Sequence, residues 1–501
     1  MITNKDASLT AAAAVTVTDF PDGDTYGVLN ACPAPGSGAA YTDGELMLAF
    51  DNAPVLEAGG SICVYDKAAG ILVDTILFAD EKQTCPGSGN NIINVGPQLA
   101  RVSGNRVYFI PHFGKLEYDK SYYIAIPRGA ITGVLNGRAF EGLSDRNAAP
   151  AWSFTTKAAP SLGKTVSVDG SENSAADFRT VYGALKAIAP NHGDYTINVA
   201  PGIYRELVHY SGSANVTING TGGAEYGRDV VIQYTNRNDL NGGTHTRASF
   251  YFSGGNLVLK NLTLKNTAER GERYMTGVTP SSNSQAETVF FANGTGRTFA
   301  AYNCSFISHQ DTIQTTGRNW LYKCYIEGDT DYIWGTADAC LIEDCELVSV
   351  NDPKKSAKEA VLLVARTGST SARTAAKGYV IFNSRVKTED GMTTYLGRNP
   401  GAGAYYDQCA VVNTVFTGEG SGKIGAGIWR GTVYTFLEGA AEHVGWKVYG
   451  NTVDGVPQDP GGRLANTSVI AEEVYEQEYN GRNTILNRVY NKSGIYQPAS
   501  A

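Results

Sequence analysis

Apolar and polar positions alternate in short runs between about residues 16 and 157. The runs are GELMLAFD (44–51), SICVYDK (61–67), ILVDTILF (71–78), NRVYFIPH (105–112), SYYIAIP (121–127) and AWSFTT (151–156). Turn-forming FDNAP, AGG and VSGN lie between them. A period of two over short stretches predicts half-buried strands, and their spacing predicts a β-sandwich. The Pro/Ala/Gly segment TKAAPSLGK (156–164) reads as a linker. We therefore expect an accessory sandwich over 1–160 and a second domain over 161–501. That domain opens with one window of helical period, in which Phe178, Val181, Leu185 and Ile188 share a face.

Beyond the helix the pattern repeats. NLTL (261–264), NCSF (303–306), KCYI (323–326), DCEL (344–347), NSRV (383–386) and NTVF (413–416) carry a polar or small residue in one slot. Adjacent copies are 20 and 21 residues apart at 303, 323 and 344, with wider gaps of 39 and 30 where long loops fit. A period near 20 built of strands and turns cannot bury its apolar face within one repeat, so the repeats must stack. The spaced leucines of a leucine-rich repeat are missing. The expected fold is all-β: a right-handed parallel β-helix capped by the 178–188 helix and preceded by the sandwich.

Composition narrows the function. Hydrophobic residues make up 42% and charged residues 18%, too apolar for a disordered chain. With 41 basic and 49 acidic side chains the net charge is −8, which argues against a nucleic-acid partner. No apolar run is long enough to span a membrane. The N-terminal MITNKDASLTAAAAVTV has no basic n-region and is not read as a signal peptide. Eight cysteines and six histidines include no CxxC and no HExxH, so no metal or cofactor is expected. Cys32 has Cys63 and Cys85 as open partners, and Cys304, Cys324 and Cys345 share one slot on successive repeats. Either a bridge between neighbours or a ladder of buried thiols fits that slot.

One pair of carboxylates stands out by register. Asp311 in SHQDTIQTTG and Asp331 in EGDTDYIWG are 20 residues apart, one local repeat. Stacking puts them in the same slot of neighbouring coils, about 5 Å apart at Cα. Two like charges so close favour keeping one protonated, as acid and nucleophile chemistry on an ester or glycoside requires. The same residues also suit β-helix turns, where they satisfy loop backbone groups.

The wording around the pair resembles the pectin methylesterases, carbohydrate esterases acting on homogalacturonan. Gln310-Asp311-Thr312, GDTDYIWG (328–335), Gln285-Ala286 and Leu396-Gly397-Arg398 match the family's cleft motifs. DG (169–170), GIYRE (202–206), GW (445–446) and EYNG (478–481) fit as well, so the likeness covers about 165 to 490. It implies Asp331 as nucleophile and Asp311 as general acid, then base. Gln310 and Gln285 would be oxyanion donors, and Arg398 would hold Asp331 ionised. Asp311 would have no cation of its own. Trp334 and Tyr332 are expected at the substrate. The family's Pro-Trp after the arginine is replaced by Asn399-Pro400, and Tyr405 or Tyr406 is the expected substitute platform. Related bacterial enzymes suggest a Cys324–Cys345 bridge. The sandwich resembles bacterial immunoglobulin-like modules, most clearly in LEYDKSYYIAIPRGAI (116–131) and the closing WSFTT.

The expected protein is then a secreted or periplasmic monomer with pectin as its only partner, releasing methanol as a carboxylic ester hydrolase. The alternatives are a pectate lyase, which needs acidic Ca²⁺ ligands, and a non-catalytic carbohydrate-binding β-helix.

Overall fold

The structure, a computed structural model, describes residues 19–23, 26–79, 82–84, 92–94, 99–146, 149–275, 278–280, 284–292, 297–368, 378–398, 405–406, 408–425, 429–430, 445–457 and 467–490. The chain forms two compact units. The first holds residues 1–163 with 168–183 and 273–280, and the second holds 164–167, 184–272 and 281–501.

In the first unit the alternating runs become strands Leu46–Ala49, Ser61–Asp66, Ile71–Leu77, Arg106–Phe109, Ser121–Ala125 and Ser153–Thr155. They belong to two four-stranded sheets, and their pairings are antiparallel. One face of each sheet is buried, Leu46, Leu48, Val107 and Phe109 from one and Ile62, Val64, Ile76 and Ile124 from the other. Burial alternates in Arg106–Phe109 and is continuous in Leu46–Ala49, and buried apolar faces of this kind are what a sandwich core requires.

The predicted helix forms over Val181–Ile188. Its apolar residues Val181, Leu185 and Ile188 are buried, as is Phe178 just before it. Among the described residues, the remaining strands of the second unit assemble mainly into one eighteen-stranded and one ten-stranded sheet. Pairing from coil to coil is parallel, as in Ile313–Tyr322 against Ile333–Glu343, where the register shifts once between Gly317 and Arg318, and in Tyr325–Gly328 against Glu346–Ser349. The second unit is a parallel β-helix.

The repeated slots have a backbone cause. Asn261, Asn303, Lys323, Asp344, Asn383 and Asn413, the first residues of the six repeats, all have positive φ between 49° and 54°. Asn and Asp enter this left-handed region more readily than other non-glycine residues. The Asn303 amide donates to Asn261 at 2.9 Å, and Asn261 donates to Asn219 at 3.2 Å, so the turns also stack as an amide ladder.

The second residue of each repeat turns inward. Leu262, Cys304, Cys324, Cys345, Ser384 and Thr414 are all buried. Here the expected Cys324–Cys345 bridge is not made, and Cys304, Cys324 and Cys345 are free thiols. Each donates to a carbonyl two residues back, on Tyr302, Tyr322 and Glu343 at 3.3, 3.4 and 3.2 Å, so the slot is satisfied as a thiol ladder. Cys32 and Cys63 are free as well, and Cys85 lies outside the described residues.

Candidate active site

The motif residues converge on one stretch of the coil. Gln285, Gln310 and Thr330 pair in parallel register, which sets Asp311 level with Asp331 on the next coil. Both aspartates have positive φ, 61° and 50°, at equivalent turns. The Asp311 amide donates to the Thr330 carbonyl at 2.9 Å, tying one turn to the other.

The two glycines of GDTDYIWG make this turn possible. A Cβ on Gly328 would meet the Tyr332 Cβ at 2.2 Å. Gly335 has φ of 133°, and a Cβ there would lie 2.1 Å from the Thr315 carbonyl oxygen. Between them Tyr332 is fully buried, its hydroxyl 3.2 Å from Ser349 Oγ. The expectation that Tyr332 meets substrate is therefore corrected. Its ring fills the helix interior, and burial pushes the phenol's pKa up.

The charges around the two aspartates differ. Arg398 grips Asp331 with a fork, Nε to Oδ1 at 2.8 Å and Nη2 to Oδ2. Asp311 is 3% exposed, and its pKa is raised well above the usual carboxylate range. Burial is the largest cause, followed by the negative charges of Glu287 and Asp331, against which Arg247 and a bond from Gln285 act. Burial and the neighbouring carboxylates therefore favour the protonated form of Asp311, while Asp331 has a full cationic partner.

The expectation that Asp311 has no cation is overturned. Arg247 Nη2 lies 3.4 Å from Asp311 Oδ2. Arg247 and its partner Glu287 were missed because THTRASF (244–250) carries no motif. For Glu287 a signal existed, since it stands two residues after Gln285 on a strand-like stretch, on the same side.

Beside the carboxylates, on the outer face of the long sheet, register aligns Tyr251, Phe290, Gln314, Trp334 and Val364. Trp334 is buried with Val361 and Val364, and the guanidinium carbon of Arg366 lies 5.1 Å from its ring. Among the described residues, Trp334 Nε1 and Gln314 Oε1 are buried without a hydrogen-bond partner. Tyr405–Tyr406 forms a short strand against Thr367–Gly368, and the Tyr405 and Tyr406 side chains lie outside what is described. Asn399 and Pro400 also lie outside the described residues.

His309, Asp329 and Asp352 bring possible metal-ligating atoms within 4.8 Å of one another. Positive charge is already supplied there. Arg270 bonds Asp329 at 3.1 Å and Asp352 at 2.7 Å, and Lys355 bonds Asp329 at 3.1 Å. Burial would raise the Asp329 pKa, but His309, Lys355, Thr330 and Arg270 outweigh it and push the carboxyl down to about 2. The cluster braces the turn that carries Asp331.

The fold has solved counterparts. The pectin methylesterase of Erwinia chrysanthemi superposes with a TM-score of 0.50 at 16% identity, covering 66% of this chain and 98% of that one. A pectin methylesterase solved in complex with a hexasaccharide gives 0.50 at 17% identity over the same shares. At these identities the likeness concerns the fold. In sequence, pectinesterase 1 of Citrus sinensis is 27% identical over 303 residues, 53% of this chain and 47% of that protein. A probable pectinesterase 49 of Arabidopsis thaliana is 31% identical over 233 residues, 45% and 57% of the two chains. The chain thus spans about half the length of the curated relatives it matches. The Pectinesterase family model matches residues 164–417, which is just over half of the chain and includes both aspartates, the glutamines and Arg398. The protein belongs to the pectinesterase family.

Proposed function

We propose that the protein hydrolyses the C6 methyl esters of homogalacturonan, releasing methanol and demethylated pectin. The observation that carries this reading is the unequal pair, with Asp331 in the Arg398 fork and Asp311 buried beside it among two other carboxylates that raise its pKa. An Asp331 oxygen attacks the ester carbon, and the carbonyl electron pair moves onto oxygen. Gln285 and Gln310 donate to that oxyanion as neutral amides, which suits a charge that appears and disappears. Collapse breaks the bond to methoxide, which takes the Asp311 proton and leaves as methanol. An anhydride now joins Asp331 to C6. Asp311, ionised, removes a proton from water, and the hydroxide attacks C6 and frees Asp331.

Trp334 remains the proposed apolar contact for a galacturonate ring, beside Val361 and Val364. Tyr405 and Tyr406 remain the proposed platform after Arg398, in place of the family tryptophan. A polymer substrate implies action outside the cytoplasm, and no helix among the described residues is long and apolar enough to cross a membrane. We take the enzyme to work as a monomer without a cofactor, and residues 1–160 to form an immunoglobulin-like accessory module.

Purified protein incubated with highly methylated pectin should release methanol and lower the pH of a weakly buffered solution in equal molar amounts. No methanol from pectin, with turnover of some other ester, would overturn the reading. Chain cleavage without methanol release, abolished by a calcium chelator, would point instead to the lyase alternative.

A further inference from the structure

Arg247 is buried and divides its guanidinium among four side chains. Nε lies 2.8 Å from each oxygen of Glu287, and Nη2 lies 2.6 Å from Oε1 of the same residue. Nη2 also reaches Asp311 Oδ2 at 3.4 Å. Nη1 donates to Gln285 Oε1 at 2.9 Å and lies 3.4 Å from Asn238 Oδ1. Glu287 has no exposed surface. A buried ion pair of this kind is a poor source of stability, because desolvation offsets its attraction and apolar residues of similar volume often do as well. Its position calls for a different role.

Three carboxylates, Glu287, Asp311 and Asp331, are gathered with two guanidiniums, Arg247 and Arg398. With all five ionised the cluster carries one excess negative charge, which a single proton removes. Asp331 has the fork of Arg398, and Glu287 has three short bonds from Arg247. Asp311 has one long contact to a cation already engaged elsewhere. The proton therefore belongs on Asp311. The same guanidinium fixes the Gln285 amide, because Oε1 accepts from Arg247 at 2.9 Å and the NH₂ end is turned toward Asp311, beside which the oxyanion forms.

We propose that Arg247 and Glu287 are positioning residues. Glu287 occupies Arg247 so that Asp311 keeps its proton, and Arg247 aims the Gln285 amide at the oxyanion. This rests on the methylesterase reading for what the proton and the amide are used for, though not for where they are.

Two variants separate the roles. Glu287→Gln keeps the shape and removes the charge, which frees Arg247 to pair with Asp311 and ionise it. The alkaline limb of kcat/KM should then move at least one unit toward lower pH, so that activity above the limb falls about tenfold or more. In Arg247→Met with Glu287→Leu, both charges go and the site is filled by apolar atoms. Its alkaline limb should return to near that of the wild type, while kcat stays roughly tenfold low because Gln285 has lost its anchor. An unmoved limb in Glu287→Gln overturns the proposal, and so does wild-type kcat in the double variant. If Glu287→Gln does not fold, the double variant decides alone.

Proton counting keeps the test independent of turnover. A difference titration of each protein against its own Asp311→Asn partner reports the proton at Asp311 directly. A shifted midpoint in a protein that releases no methanol supports this inference and sinks the methylesterase reading. An active enzyme with an unshifted midpoint does the reverse.

Discussion

Asp311 and Asp331 share a strained backbone turn, with φ of 61° and 50°, and differ in the charges around them. Asparagine tolerates the left-handed region, whereas most residues lose about 1–2 kcal/mol there. Asp→Asn is therefore the substitution that isolates chemistry from folding. Asp331→Asn removes the proposed nucleophile, and methanol release should fall to background with the unfolding midpoint nearly unchanged. Asp311→Asn keeps Asp331 charged but supplies no proton, so turnover should drop ~10²–10⁴-fold. An aryl ester of galacturonate, whose leaving group needs little protonation, should give Asp311→Asn a burst of phenol followed by slow turnover. It should never rescue Asp331→Asn, and the opposite pattern would exchange the two roles. Arg398→Lys retains a charge but not the fork that bonds both Asp331 oxygens. Its kcat should fall about 10²-fold as the nucleophile loses its aim, and near-normal kcat would remove Arg398 from that task. The identities of these residues were legible because motif words survive in the sequence. Tyr332 misled, since a word cannot say which of its side chains turns inward.

Each coil depends on a turn with one left-handed residue, and five of the six repeat turns place Asn or Asp there. Lys323 is the exception, with φ of 52°. Lys323→Asn should stabilise the protein by ~0.5–1 kcal/mol, by lowering the backbone cost and extending the ladder of Asn261 and Asn303. Urea unfolding measures it, and a loss of stability would show that the Lys323 ammonium, 5.3 Å from the Tyr322 ring, matters more. The turn at Asp329 makes a pH-dependent prediction. Its carboxyl is held down to about 2 in the folded protein, so its contribution is present above about pH 4 and is lost as pH falls toward 2. The difference in unfolding free energy between wild type and Asp329→Asn should shrink by roughly 2 kcal/mol over that interval. A gap that ignores pH would mean the Arg270 and Lys355 contacts do not act through charge. The repeat slots were readable from sequence, but this brace was not, because residues 270, 309, 329, 352 and 355 meet only after coils stack.

For the whole molecule, every group assigned to the chemistry lies in the second unit. A chain beginning near Lys164 should therefore keep methylesterase activity on short soluble substrate. Residues 168–183 group with the first unit, where Asp43 Oδ2 accepts from the backbone of Arg179 and Thr180 at 3.0 and 2.9 Å. Losing such a bond set at a helix start costs about 1 kcal/mol, so the shortened protein should melt lower while turning over at a similar rate. A folded but inactive truncation would show that the first unit does more than accompany the second.

The sequence by itself determined the strand periods, the stacking repeat of 20 residues and, through that repeat, the shared slot of Asp311 and Asp331. These are properties of local spacing, and spacing survives folding unchanged. Only the tertiary structure decided which charges surround the slot. Arg247 stands 64 residues before Asp311, and Glu287 stands 40 after Arg247. Arg247 signals no role, and Glu287 only the side of the strand it shares with Gln285, until burial removes water from between them. Low dielectric then turns a distribution of five charges into a decision about where one proton rests.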